Sequence, residues 1–182
     1  MKKLNRHQEV ASGNKQNWKS HQYEVSVDFK QGKNLEINFE VKSKNAYLTS
    51  NDFGPDYKKN WGLWNYDVVE AFLQKRDKRG VASPYLEFQL SPKGQAFALV
   101  IIKPRQIYYT PLDFKISSKS VVSGESWKAQ LSIPSNVFLC EGELYGNFYA
   151  CLGENQNREY YGMNLNPEEK PDFHRPEFFV KL

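Results

Sequence analysis

Apolar and polar residues alternate in two consecutive stretches near the start of the chain. Tyr23, Val25, Val27 and Phe29 alternate with Glu24, Ser26 and Asp28, and Leu35, Ile37, Phe39 and Val41 alternate with Glu36, Asn38, Glu40 and Lys42. A period of two sends successive side chains to opposite faces, so each stretch predicts a half-buried strand. Gln31-Gly32-Lys33-Asn34 supplies turn residues between them, and the pair predicts a β-hairpin. Shorter runs predict further strands near residues 67–74, 85–90, 96–103, 114–122, 126–133, 145–152, 159–163 and 178–182. Gly, Pro, Asn and Ser clusters separate them at the spacing of a sandwich or barrel. No window keeps apolar residues at three- and four-residue intervals over a dozen positions, so little helix is expected beyond a short turn near residues 135–138. The expected fold is all-β.

Strand phase then predicts which side chains share a face. Leu86, Phe88 and Leu90 are assigned to the core, leaving Tyr85, Glu87 and Gln89 on the opposite face. Val69, Ala71 and Leu73 are assigned to the core in the same way, leaving Val68, Glu70 and Phe72 opposite, because the other phase buries the Glu70 carboxylate. If the two strands pair, Glu70 and Glu87 lie on one face among aromatic residues. Aromatic rings cover the apolar C–H faces of a pyranose while carboxylates and amides accept its hydroxyl protons, so such a face suits a sugar.

A length of 182 residues fits one domain. Residues 1–20 are polar, with Val10 and Trp18 as apolar anchors, and are read as a flexible N-terminal arm or an edge covering; residues 21–182 form the single domain. The longest apolar run, Ala96 to Ile102, is far short of the roughly 20 residues of a spanning helix, and a mean hydropathy of −0.71 also argues against a membrane protein. A net charge of +4 is too mild to imply nucleic acid without a basic face. Cys140 and Cys151 do not make a disulfide framework; two small buried thiols are preferred over a single bridge. Met1-Lys2-Lys3-Leu4-Asn5-Arg6 is not followed by the apolar stretch of a secretory signal, which predicts a cytoplasmic protein, or a secreted or periplasmic one whose leader has been trimmed.

Catalytic signatures are mostly missing. There is no Gly-x-Gly-x-x-Gly, P-loop, Gly-x-Ser-x-Gly or Cys-x-x-Cys motif, and His174 is the one histidine outside the N-terminal region. No Cys or His cluster has zinc spacing; loop oxygens near Asp52, Asp56 or Asp113 could bind calcium, although no EF-hand-like spacing supports it. Glu70 and Glu87 are the obvious pair for glycoside hydrolysis, but hydrogen-bonded acids on a sheet face are the preferred reading. No catalytic residue, metal or cofactor is therefore assigned.

Five strings in order carry a family resemblance. They are Trp61-Gly62-Leu63-Trp64-Asn65-Tyr66-Asp67-Val68-Val69-Glu70-Ala71-Phe72, Tyr85-Leu86-Glu87-Phe88-Gln89-Leu90-Ser91-Pro92-Lys93-Gly94, Trp127-Lys128-Ala129 with Ile133-Pro134, Leu144-Tyr145-Gly146-Asn147-Phe148-Tyr149-Ala150-Cys151, and Pro171-Asp172-Phe173-His174-Arg175-Pro176-Glu177-Phe178-Phe179. Over about residues 23–182 the chain resembles the family 9 carbohydrate-binding modules and their DOMON-like relatives. The resemblance implies a two-sheet antiparallel β-sandwich of jelly-roll type that holds a mono- or oligosaccharide without cleaving it. In that family a sugar unit lies between two aromatic side chains. The carry-over makes Trp64 a stacking platform and Glu70 a hydroxyl acceptor, with Glu87, Gln89 and His174 as further candidates. Relatives often have a Trp two residues before the Pro that precedes the closing motif; here the string is Leu165-Asn166-Pro167, so the second wall is either missing or supplied by Tyr160 or Tyr161. Arg175 shares the closing motif with His174, and Arg76, Lys78 and Arg79 are expected in a solvated turn.

Two other readings stay open. Some DOMON-like relatives hold haem, for which Met163 and His174 are the candidate axial ligands. An interaction sandwich that has lost the sugar site is the other.

Overall fold

The computed structural model describes residues 8–9, 15–80, 82–110, 117–138, 140–165 and 171–182. The early hairpin forms as expected. Strands β1 (Gln8–Glu9), β2 (Lys15–Lys19), β3 (Tyr23–Gln31) and β4 (Asn34–Ser43) come first, and β3 and β4 pair antiparallel with Val27 opposite Phe39. The chain then builds β5 (Val68–Arg76), β6 (Ala82–Leu90), β7 (Ala96–Lys103) and β8 (Ile107–Tyr109) as an antiparallel meander. Strands β9 (Ser117–Ser123) and β10 (Ser126–Pro134) return to the first sheet, where β10 pairs with β4. Finally β11 (Glu143–Leu152), β12 (Glu159–Gly162) and β13 (Val180–Lys181) complete the second sheet, with β11 beside β5.

Two antiparallel sheets result, in the order β1-β2-β3-β4-β10-β9 and β12-β11-β5-β6-β7-β8, with β13 also on β11. The fold is an all-β sandwich. Helical structure among the described residues is limited to single 3₁₀ turns, one of them at Ser135–Val137 where a short turn is expected. No helix among these residues is long and apolar enough to cross a membrane.

The inward faces meet in one core. Val25, Val27, Ile37, Phe39, Val41, Trp127 and Leu131 from the first sheet pack against Val69, Ala71, Leu73, Leu86, Phe88, Ala98, Val100 and Phe148 from the second. Strand phase for β3, β4, β5 and β6 is as read from the sequence. Burying this apolar surface is the main stabilising term, at roughly 25 cal/mol per Å² removed from water.

Residues 15–19 are not a loose arm. They form strand β2, which pairs with β3 over Lys15–Lys19, and Trp18 sits 4% exposed in the core. Edge covering is the apt description of this segment, and one indole supplies the anchorage for an otherwise polar strand. Val10 and the first residues of the expected 114–122 strand lie outside the described residues. Because Trp18 stands at the edge of the core, Trp18→Ala is expected to cost about 3–5 kcal/mol. Urea unfolding should record that loss, together with faster amide exchange at Gln16 and Trp18 than elsewhere in the sheet.

Candidate functional site

The sequence places acids on the outward face of the second sheet, and cross-strand register fixes their neighbours. Tyr149, Glu70, Gln89 and Phe97 stand opposite one another along β11, β5, β6 and β7. The next row is Asn147, Phe72, Glu87 and Leu99, and the third is Tyr145, Gln74, Tyr85 and Ile101. Glu70 and Glu87 are therefore diagonal neighbours, close enough for their side chains to interact. This is the juxtaposition the strand phase predicts.

The face is roofed rather than open. Glu70 and Glu87 are each 3% exposed and Gln89 is 2% exposed. One part of the roof is the segment before β5, which carries Phe53, Leu63 and Trp64. Asn60 ties it down, donating to the Gly54 and Ala96 carbonyls at 2.9 and 2.7 Å. Gly62 turns the chain at a φ of 93°, a conformation that favours glycine. The buried Asp67 carboxylate accepts the N–H groups of Gly153 at 2.6 Å and Leu48 at 3.0 Å. Arg158 donates to the carbonyls of Trp64, Tyr66 and Gly153 at 2.7, 2.8 and 2.8 Å. One guanidinium thus clamps the Trp64 loop onto the loop that follows β11.

The closing motif makes the other part of the roof. Phe173 stacks on Tyr149 with ring centroids 4.0 Å apart and planes 11° apart. His174 Nδ1 lies 2.9 Å from the Tyr85 hydroxyl, and its ring meets Phe72 edge-on at 5.5 Å. Asp172 is ion-paired with Arg105, and Arg76 donates to the Pro176 carbonyl at 2.9 Å. Arg76 therefore has a structural role, with its guanidinium 4.1 Å over the Tyr145 ring, whereas Arg79 pairs with Asp77 in an exposed turn. Asn147, fully buried, donates to the Asn164 carbonyl at 2.6 Å and accepts the Asn164 N–H at 3.0 Å, which fixes the approach to the closing segment.

Each expected site residue now has a place. Trp64 is half-buried, tilted against Phe97 at 5.8 Å and edge-on to Trp61 at 4.9 Å. Glu70, Glu87 and Gln89 form the floor, and His174 closes it, with Nε2 3.9 Å from Glu87 Oε2. Tyr160 is half-buried at the margin, edge-on to Phe173 at 6.1 Å with the Arg158 guanidinium 5.7 Å from its ring centroid. Tyr161 is separated from the others. It lies 1% exposed between the sheets, with its hydroxyl on Ser20 at 2.9 Å and on Glu159. Met163 also packs in the inter-sheet core while His174 lies on the outer face, so the two do not form an axial pair for haem.

The aromatic partners that flank the row were not assigned to the site from the sequence. Phe173 on Tyr149 and Trp64 on Phe97 cap the two ends of the row that carries Glu70 and Gln89. Trp61 extends the Trp64 side to solvent, 53% exposed and stacked on Tyr108 at 5.4 Å. Phe173 was within the quoted closing motif, but only the sheet register shows which row it covers.

The floor is electrostatically unusual. Burial pushes the Glu70 carboxyl well above the usual carboxylate range, and the neighbouring Glu87 raises it further, against a smaller opposing effect of Arg158. Burial also raises Glu87, while the hydrogen bond from Gln89 Nε2, at 2.6 Å, opposes the rise. Cys151 Sγ lies 3.8 Å from Glu70 Oε1, its thiol held protonated by burial. Burial lowers the His174 pKa below its ordinary value, against a smaller opposing effect of Asp172. Among the described residues, Glu87 Oε2 and Gln89 Oε1 are buried with no hydrogen-bond donor. Buried acceptors without donors are uncommon in folded proteins.

The same residues show no metal-ligating cluster of three or more His, Cys, Asp or Glu. Of the aspartates weighed for calcium, Asp52 accepts from Ser50 and Asp56 from the Lys58 amide, and Asp113 lies outside the described residues. Cys140 and Cys151 are both free thiols, the second buried.

Comparison with known proteins supplies relatives of two kinds. No family model matches the chain. Over 125 residues it is 34% identical to the UPF0462 protein C4orf33 homolog of Mus musculus, covering 64% of this chain and 60% of that protein. The chain spans about three fifths of the length of such relatives. A protein of Arthroderma benhamiae named "Extracellular protein" is 27% identical over 173 residues, covering 82% of this chain and 73% of its own. Among solved structures, a Bacteroides uniformis protein put forward as carbohydrate-binding superposes with a TM-score of 0.67 at 20% identity, covering 87% of this chain and 77% of that one. A family 9 carbohydrate-binding module of Caldicellulosiruptor kristjanssonii, in complex with cellotriose, superposes with a TM-score of 0.58 at 13% identity, covering 91% and 76%. The chain has the sandwich fold of these carbohydrate-binding proteins.

The acid pair sets a pH dependence of stability. A carboxyl whose pKa is raised on folding holds its proton more tightly folded than unfolded. The folded state is thus favoured most below the unfolded value, 4.5 for Glu70 and Glu87, and loses stability as pH rises through neutrality. Urea unfolding between about pH 5 and about pH 8 should show this decline, and Glu70→Gln or Glu87→Gln should flatten it.

Proposed function

We propose that this protein is a non-catalytic carbohydrate-binding domain that holds one pyranose, free or at an oligosaccharide end, over the Glu70–Gln89 row. The observation that carries the reading is the row itself. A polar floor with unfilled acceptors lies between two aromatic pairs, Trp64 tilted against Phe97 and Phe173 stacked on Tyr149. Sugar hydroxyls are donors of the kind Glu87 Oε2 and Gln89 Oε1 lack, and the pyranose C–H faces suit the rings on either side. Phe173 takes the position of the second wall, and Tyr160 supports its edge. Trp61 lengthens the first wall toward solvent, the side from which a sugar would be received.

Fold likeness to proteins solved with cellotriose and with glucose supports a saccharide as the ligand class. The same likeness and the ordered motifs support a family 9-like reading, and the Arthroderma relative's name supports an extracellular setting for the encounter. Glu70 and Glu87 are read as hydroxyl acceptors, and no bond cleavage is assigned to them.

A glycan array followed by calorimetric titration of the best binder tests the reading. Trp64→Ala and Phe173→Ala should each weaken binding about tenfold, the loss expected when one aromatic contact worth about 1.5 kcal/mol is removed. Trp61→Ala should weaken it less. Equal binding by wild type and both wall variants overturns the assignment of the walls, and the absence of any glycan ligand overturns the function.

A further inference from the structure

We propose that the pyranose accepted over this floor is an amino sugar, with its ammonium group seated against Glu87 and Gln89. The inference rests on the saccharide reading and names the ligand class of that same site. It starts from a mismatch between donors and acceptors. With Glu87 ionised, Glu87 Oε2 and Gln89 Oε1 are both acceptors, both buried, and neither has a donor among the described residues. A single sugar hydroxyl brings one proton to two waiting acceptors. An ammonium brings three.

Charge points the same way. Two carboxyl groups face one guanidinium, that of Arg158, whose N–H groups are engaged by the carbonyls of Trp64, Tyr66 and Gly153. Arg158 thus lends Glu70 its charge and reaches Cys151, but supplies no donor to Glu87 Oε2 or Gln89 Oε1. With both acids ionised, one negative charge is left uncompensated. In the free protein the proton retained by the acid pair compensates it. An ammonium group can take that proton's place, and the displaced proton leaves to the solvent.

The remaining groups around the floor do not compete for the role. Tyr85 and Tyr149 are kept protonated by burial, Cys151 is a thiol, and burial disfavours the charged form of His174. Asp172, on the far side of His174, is ion-paired with Arg105 and lies 3.9 Å from Arg175. Phe72, Phe97 and Leu99 complete the surroundings with apolar side chains. The chain as a whole carries a net charge of +4, so non-specific attraction does not favour a cation. A preference for one must come from the floor.

The test is calorimetric titration of the full chain at about pH 6.5 with glucosamine, glucose, N-acetylglucosamine and ethylamine, in two buffers of different ionisation enthalpy. Charge-assisted hydrogen bonds are about twice as strong as neutral ones, so glucosamine is expected to bind about tenfold more tightly than glucose or N-acetylglucosamine. Its binding alone should release protons to the buffer. Glu87→Gln, which keeps the side-chain volume, should abolish both the preference and the proton release; Glu70→Gln should abolish the proton release, and thermal melts establish that each variant is folded. Equal affinity for glucose and glucosamine overturns this inference and leaves the saccharide reading standing. So does a preference that survives in folded Glu87→Gln. Ethylamine binding as tightly as glucosamine overturns the sugar as the recognised body, and failure of all four probes together with an empty glycan array overturns both readings.

Discussion

Two carboxyl groups buried side by side are the constraint around which the second sheet is organised. Each carboxylate taken out of water loses solvation worth several kcal/mol unless partners restore it, and two adjacent ones repel. The floor restores only part of this. Gln89 donates to one oxygen of Glu87, Cys151 approaches Glu70, and Arg158 contributes charge from the loop above. Retained protons make up the rest, which is why both acids are shifted upward. The roof that enforces the burial is held by polar devices in its turn: Asp67 on two backbone amides, Arg158 on three close carbonyls, Asn147 on both sides of Asn164.

Much of the sandwich was legible because period-two patterning is a direct consequence of strand geometry. Tyr23 to Val41 alternates so regularly that hairpin, register face and core set follow from it. The shared face of Glu70 and Glu87 followed equally from phase, since each acid lies between residues that belong in the core. What the pattern did not convey is that this face is covered. A signal was present: Ala96 to Ile101 is apolar without alternation, and Val68 to Leu73 is nearly so. Continuous apolar strands belong to sheets buried on both sides, and both runs are buried throughout their length in the fold.

The remainder was illegible for local physical reasons. Strand β2 is polar apart from Trp18, so its pairing depends on the edge that β3 offers rather than on its own sequence. Strand β8 has three residues and no alternation to read. The walls depend on contacts far apart in sequence, Phe173 meeting Tyr149 and Trp64 meeting Phe97. Tyr160 and Tyr161 differ by one position, and that single step sends one ring to the roofed face and the other into the inter-sheet core. A spacing argument treats them alike; a pleated strand does not.

A sandwich of this size has no structural need for acids in such a place. Replacing a buried ionisable pair with apolar groups of similar volume is often neutral or stabilising, so the sandwich itself does not require Glu70 and Glu87. The face also assembles its polar atoms unevenly, since the acceptors of Glu87 and Gln89 outnumber the donors the chain brings to them. Donors are present elsewhere on the same face: Arg158 and Arg76 donate to backbone carbonyls of the roof, Arg76 also donates to Gln74 Oε1, and Asn147 donates to the Asn164 carbonyl and the Tyr149 hydroxyl. None of these donors reaches Glu87 Oε2 or Gln89 Oε1. On the reading proposed above, a donor-bearing ligand completes the network at those two acceptors.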